Sequence, residues 1–89
     1  MTRVRLPKLF AADYLDRSPI ESEDQQRHFQ VVAETSRTIT LDATTRGLRD
    51  LLDDAEHYAE PGNISRDHIE LIRSARRCLP HLRRALGSH

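Results

Sequence analysis

TSRTITLDATTRGLRDLLDDAEHYA, residues 35–59, decides the fold. Its first part, Arg37–Asp42, alternates polar and apolar residues, the period of a strand with one buried face. Its second part repeats Leu48, Leu51, Leu52, Ala55 and Tyr58 at helical spacing, ringed by Arg46, Arg49, Asp50, Asp53, Asp54 and Glu56. No glycine or proline separates the two periods where they meet, so a strand should run almost directly into a helix. Asp42 or Thr44 can serve as N-cap, worth about 1 kcal/mol. Glu60-Pro61-Gly62-Asn63 then ends the helix with successive breakers.

Outward from this unit, FQVVAE at 29–34 has β character. Residues 29–42 form either one long strand or, the preferred reading, a hairpin turning at Thr35-Ser36. Such a hairpin sets Glu34 beside Arg37 and Val32 opposite Ile39. At the N-terminus, TRVRL at 2–6 suits a short strand with Val4 and Leu6 on one face, and Pro7 suits the first turn of a helix. In the following KLFAADYLDR, Leu9, Phe10, Tyr14 and Leu15 are the core candidates. Ser18-Pro19 stops that helix, and Ile20–Arg27 reads as a polar, acidic connection.

Ser65 opens the last helix as N-cap, with Ile64 and Ile69 placed for a hydrophobic staple. Leu71, Ile72, Ala75, Cys78, Leu79, Leu82, Ala85 and Leu86 span a broad apolar face. That width calls for a second packing surface, either the N-terminal helix or another copy of the chain. Pro80 removes a helical hydrogen bond, which predicts a kink there or an end near Leu79. The order β-α-β(β)-α-α predicts an α+β fold, one small domain over 1–89. Strands at about 2–6, 29–34 and 37–42 pack on an N-terminal helix and a C-terminal antiparallel helix pair. Gly87-Ser88-His89 is expected to be a disordered or appended tail.

The chain has 89 residues, and a domain of that length buries only about 60–65% of the surface its unfolded form exposes. With two Phe, two Tyr and no Trp, its core must be built mostly from Leu, Ile, Val and Ala. Cys78 is the single cysteine, which rules out an internal disulfide. No apolar run of transmembrane length and no signal-peptide pattern occurs, so a cytoplasmic protein without membrane partners is expected. Formal charge is zero, giving no global pull toward polyanions.

Charge is nevertheless segregated. Residues 42–60 carry six acids against Arg46 and Arg49, whereas the last helix is rich in arginine. Arg66, Arg73, Arg77 and Arg84 fall within about 40° of one another on an ideal helix. Such a ribbon of guanidinium groups suits phosphates or an acidic patch on a partner protein, and equally a solvated face beside the acidic helix. Cys78-x-x-His81 and the acids around His57 have ligand-like spacing. Zinc needs three or four converging ligands, though, and Cys78 falls on the apolar face. No nucleophile–base pair, carboxylate dyad or glycine-rich phosphate loop is present, so neither enzymatic activity, a cofactor nor a small-molecule substrate is expected.

RTITLDATTRGLRDLL, and with it the span 36–79, resembles ribbon–helix–helix repressors. In that family two chains pair one strand each and the ribbon enters the DNA major groove. The resemblance implies groove-facing Ser36, Thr38 and Thr40, with Ile39 and Leu41 in the core. Arg37 stands where that pattern has an apolar residue, the helix is longer, and some thirty-five residues precede the ribbon. A second resemblance reaches across residues 6–82. LPKLFAADYLDR, VVAETSRTITLDA, LRDLLDDAEHYAEP and LIRSARRCL are similar to blocks of small uncharacterised proteins from mycobacteriophages and related actinobacteria. That resemblance implies a phage or prophage origin, with action in the host cytoplasm, and no catalytic residues. The expected function is stoichiometric binding of a host or phage protein through Arg66, Arg73, Arg77 and Arg84. The alternatives are a DNA-binding dimer using Ser36, Thr38 and Thr40, and a homodimer built on the broad apolar stripe.

Overall fold

A computed structural model describes residues 1–17, 28–59 and 69–87. Its elements are β1 (Thr2–Pro7), α1 (Lys8–Arg17), β2 (Phe29–Glu34), β3 (Thr38–Ala43), α2 (Thr45–Ala59) and α3 (Ile69–Gly87). The three strands form one antiparallel sheet in the order β1-β3-β2, with helices against one face, an α+β domain.

β3 is central, paired with β1 on one side and β2 on the other, and its alternation is complete. Ile39, Leu41 and Ala43 are buried while Thr38, Thr40 and Asp42 face outward. β1 matches it, with Val4 opposite Leu41 and Leu6 opposite Ile39 on the inner face. Phe10, Ala11 and Tyr14 of α1, Leu48, Leu51 and Ala55 of α2, and Ala75, Cys78 and Leu82 of α3 complete the core. All four aromatic side chains join in it. Phe10 meets Tyr58 edge-on at 5.7 Å between ring centres, and Tyr14 meets Phe29 at 5.9 Å.

The hairpin forms, with a different register from the expected one. Glu34, rather than Val32, lies opposite Ile39, and the pairing slips by one residue between Val31 and Ala33. The turn explains the change. Thr35 Oγ1 accepts hydrogen bonds from the amides of Arg37 and Thr38 at 3.2 and 3.0 Å, and the Thr35 amide donates to the Thr38 carbonyl. The threonine hydroxyl thus helps close the turn over Ser36 and Arg37.

Other boundaries moved for physical reasons. Pro7 ends β1 instead of opening α1, which begins at Lys8 with its amide on the Arg37 carbonyl at 3.0 Å. Leu9 is 52% exposed, because α1 turns Phe10, Ala11 and Tyr14 inward. Thr44, not Asp42, caps α2: its hydroxyl accepts from the Gly47 amide at 3.1 Å. Ile69, the expected staple residue, is exposed, while Ile64 and Ser65 lie outside the described residues.

α3 does not end near Leu79. It runs through Pro80 to Gly87, so Gly87 closes the helix and only Ser88 and His89 of the expected tail lie outside the described residues. A proline inside a helix costs about 3 kcal/mol. Beyond it, however, Leu82 is fully buried and Ala85 and Leu86 pack against the core. Burying a leucine alone contributes about 1.5–3 kcal/mol, enough to hold the last turns in place. The broad stripe of α3 is thus spent within the chain, against α2, α1 and β1.

Candidate partner-binding site

β1 and α3 run beside each other and leave a groove between them of about 770 Å³. Its walls differ in origin. Arg3 and Arg5 project from β1, Arg37 comes from the hairpin turn, and Arg77, His81 and Arg84 come from one face of α3. The strand pattern explains the first pair: Val4 and Leu6 turn into the core, so their neighbours must face out. The helix repeat explains the last three, since positions 77, 81 and 84 are one and two turns apart. Among the described residues, no carboxylate lines this groove.

Arg3 is engaged with Asp42, which stands opposite it on β3. Its Nε lies 2.9 Å from Oδ1 and its Nη2 3.3 Å from Oδ2, a two-pronged bond at the surface. That hydrogen bond, aided by the guanidinium charge, holds the Asp42 carboxyl below the usual carboxylate range. Among the described residues, Arg5, Arg37, Arg77 and Arg84 make no ion pair.

A second groove of about 840 Å³ adjoins the first and shares Pro7, Arg37 and Arg77 with it. Its other walls mix signs, with Lys8 and Arg73 against Asp13, Asp16 and Glu70. Arg73 pairs with Glu70 one turn away at 3.2 Å, and Lys8 pairs with Glu34 at 2.9 Å.

The arginines expected to act together are therefore divided. Arg77 and Arg84 share the basic groove, Arg73 lies in the mixed one, and Arg66 lies outside the described residues. Arg3, Arg5, Arg37 and His81 also line the groove and were not among the partner-binding residues expected from the sequence, where His81 was weighed only as a metal ligand beside Cys78. The alternation of TRVRL was the available signal for Arg3 and Arg5; for Arg37, in a turn, no local signal exists.

β3 is hydrogen-bonded on both sides within its own chain. It has no edge to offer the same strand of a second chain, the pairing that a repressor ribbon requires. Thr38 and Thr40 stand on the outer sheet face, Thr40 opposite Arg5, and Ser36 sits in the exposed turn.

Cys78 and His81 do not converge, since the thiol is buried and the imidazole exposed. Burial pushes the Cys78 thiol up to about 12, and its S–H points to the Pro7 carbonyl at 3.8 Å. Among the described residues, no three His, Cys, Asp or Glu side chains gather where a metal ion could be held. Glu60 and His68 lie outside those residues. None of the described helices is long and apolar enough to cross a membrane. Neither protein-family models nor curated proteins nor solved structures give a match to this chain.

Proposed function

We propose that the protein acts by stoichiometric binding of another protein, through the basic groove between β1 and α3. The observation that carries this reading is the lining of that groove: among the described residues, five arginines and His81 and no carboxylate, with only Arg3 in an ion pair, in a chain of zero formal charge. Guanidinium groups brought together from three separate elements attract one another's counter-charges, and a partner's carboxylates would supply them in bidentate form. The role is one of binding rather than catalysis. The block-wise resemblance of the sequence adds a setting, an accessory protein of phage type acting on a host or phage protein in the cytoplasm. A DNA-binding role is the less favoured reading, because β3 has no free edge.

The test uses the purified protein and its Arg77→Glu/Arg84→Glu variant, both exposed positions that leave the core untouched. The expected result is a single protein retained from a bacterial lysate by the wild type and released by the variant, and a defined ratio when the two are remixed. Tight, steeply salt-dependent binding of mixed-sequence duplex DNA, with no retained protein, would replace this reading with the nucleic-acid one.

A further inference from the structure

The basic groove and the mixed one are two stretches of a single trough. They share Pro7, Arg37 and Arg77, and α3 walls both. The opposite wall changes where β1 ends and α1 begins. Cys78 meets Pro7 at that junction, and Ser74, one turn earlier on α3, meets Phe10. α1 therefore lies along the first half of α3 and β1 along the second half.

Charge changes sign along this trough. At the β1 end stand Arg5 and Arg84, neither in an ion pair among the described residues. At the α1 end stand Asp13, Asp16 and Glu70. Arg73 answers Glu70 within α3 and Lys8 is committed to Glu34, whereas Asp16 makes no ion pair among the described residues. Between the two ends, Leu9 is 52% exposed on the face of α1 that also carries Ala12.

We infer that the whole trough receives a partner-protein segment of segregated charge: acidic along β1, apolar over Leu9 and basic against Asp16. This rests on the protein-binding role proposed above and specifies the order of charge in the partner. Glu70 and Arg84 are fourteen positions apart on α3, about 21 Å along its axis. An extended segment of about six or seven residues covers that length.

A single exposed ion pair contributes only about 0.2–1 kcal/mol, so the basic end alone tells one acidic chain from another poorly. Opposite charge at the two ends selects order as well. A uniformly acidic chain long enough to reach both ends meets Asp16 with like charge. Nucleic acid fails in the same way, because its phosphates repeat without a change of sign.

The test is an NMR titration at low salt with the capped peptide Glu-Glu-Ala-Leu-Ala-Lys-Lys. The controls are Glu-Lys-Ala-Leu-Ala-Glu-Lys, of the same composition, the all-acidic Glu-Glu-Ala-Leu-Ala-Glu-Glu, and single-stranded DNA. The segregated peptide should bind about tenfold tighter than the alternating one. Asp16→Lys, at an exposed position, should weaken the segregated peptide by about threefold or more and tighten the all-acidic one. Equal binding of the segregated and alternating peptides, or no effect of Asp16→Lys, would overturn the two-ended trough. If Arg77→Glu/Arg84→Glu nevertheless released the lysate partner, the protein-binding role would stand without it. A rise in the protein's own solution mass at low salt that Asp16→Lys removes would overturn the partner segment in favour of a second copy. Preference for the single-stranded DNA over every peptide would overturn both readings.

Discussion

The amide of Phe10 donates to the hydroxyl of Ser74, 3.0 Å away and buried, across 64 positions of sequence. Helix α1 has no local N-cap side chain, and this bond satisfies an amide of its first turn that no helical carbonyl can reach. Lys8 is served in the same way by the Arg37 carbonyl. The start of α1 is therefore held by α3 and by the hairpin turn.

Ser74→Ala should destabilise the protein by about 1–3 kcal/mol, because it leaves the Phe10 amide buried without an acceptor. Urea unfolding would show this as a lower midpoint at unchanged slope. An unchanged midpoint would mean that water reaches the amide.

Gly47→Ala should also destabilise, against the usual helical preference for alanine of about 1 kcal/mol. A Cβ at Gly47 would lie 2.9 Å from the His28 carbonyl oxygen and 3.1 Å from Cζ of Phe29. That same carbonyl accepts from the Thr44 amide, so relieving the clash disturbs the cap of α2. Gly87→Ala, with open space around its Cβ, is the control and should not lower thermal stability. Equal melting temperatures for both variants would show that β2 and α2 separate easily.

Cys78 supplies a pH test. Its thiol is raised from an ordinary 9.0 to about 12 by burial, so folding favours the neutral form. The stabilisation is fully present below pH 9.0 and is lost as pH rises toward about 12, because the unfolded chain ionises first. The fall should approach about 1.4 kcal/mol per pH unit from this group. The difference in unfolding free energy between the wild type and Cys78→Ala, followed against pH, isolates it. Parallel profiles would show that the thiol is not shielded.

α2 was legible because Leu48, Leu51 and Ala55 keep helical period and Thr44 offers a cap, both local signals. The hairpin was legible in outline. Its register was not, since it depends on the Thr35 hydroxyl and on a slip between Val31 and Ala33 that alternation does not encode. FQVVAE also misleads by hydropathy alone: Val31 and Val32 are 51% and 43% exposed on the edge strand β2. Nothing in the alternation of TRVRL or TITLDA says which strand is central. The site was half legible for the same reason. Helical angle gathers Arg77 with Arg84, but only the packing of β1 on α3 brings Arg3 and Arg5 to them.

The position of β3 has a consequence for how the chain is made. β1 and β2 each pair with β3 and not with each other, and Val4 waits for Leu41. On the ribosome the first strand emerges and stays unpaired while more than a third of the chain follows it. During that interval TRVRL is a nascent segment whose apolar residues are separated by charge, and Arg3 and Arg5 act as gatekeepers against association with other chains. A chain stopped before Thr38 would hold two strand sequences and no sheet.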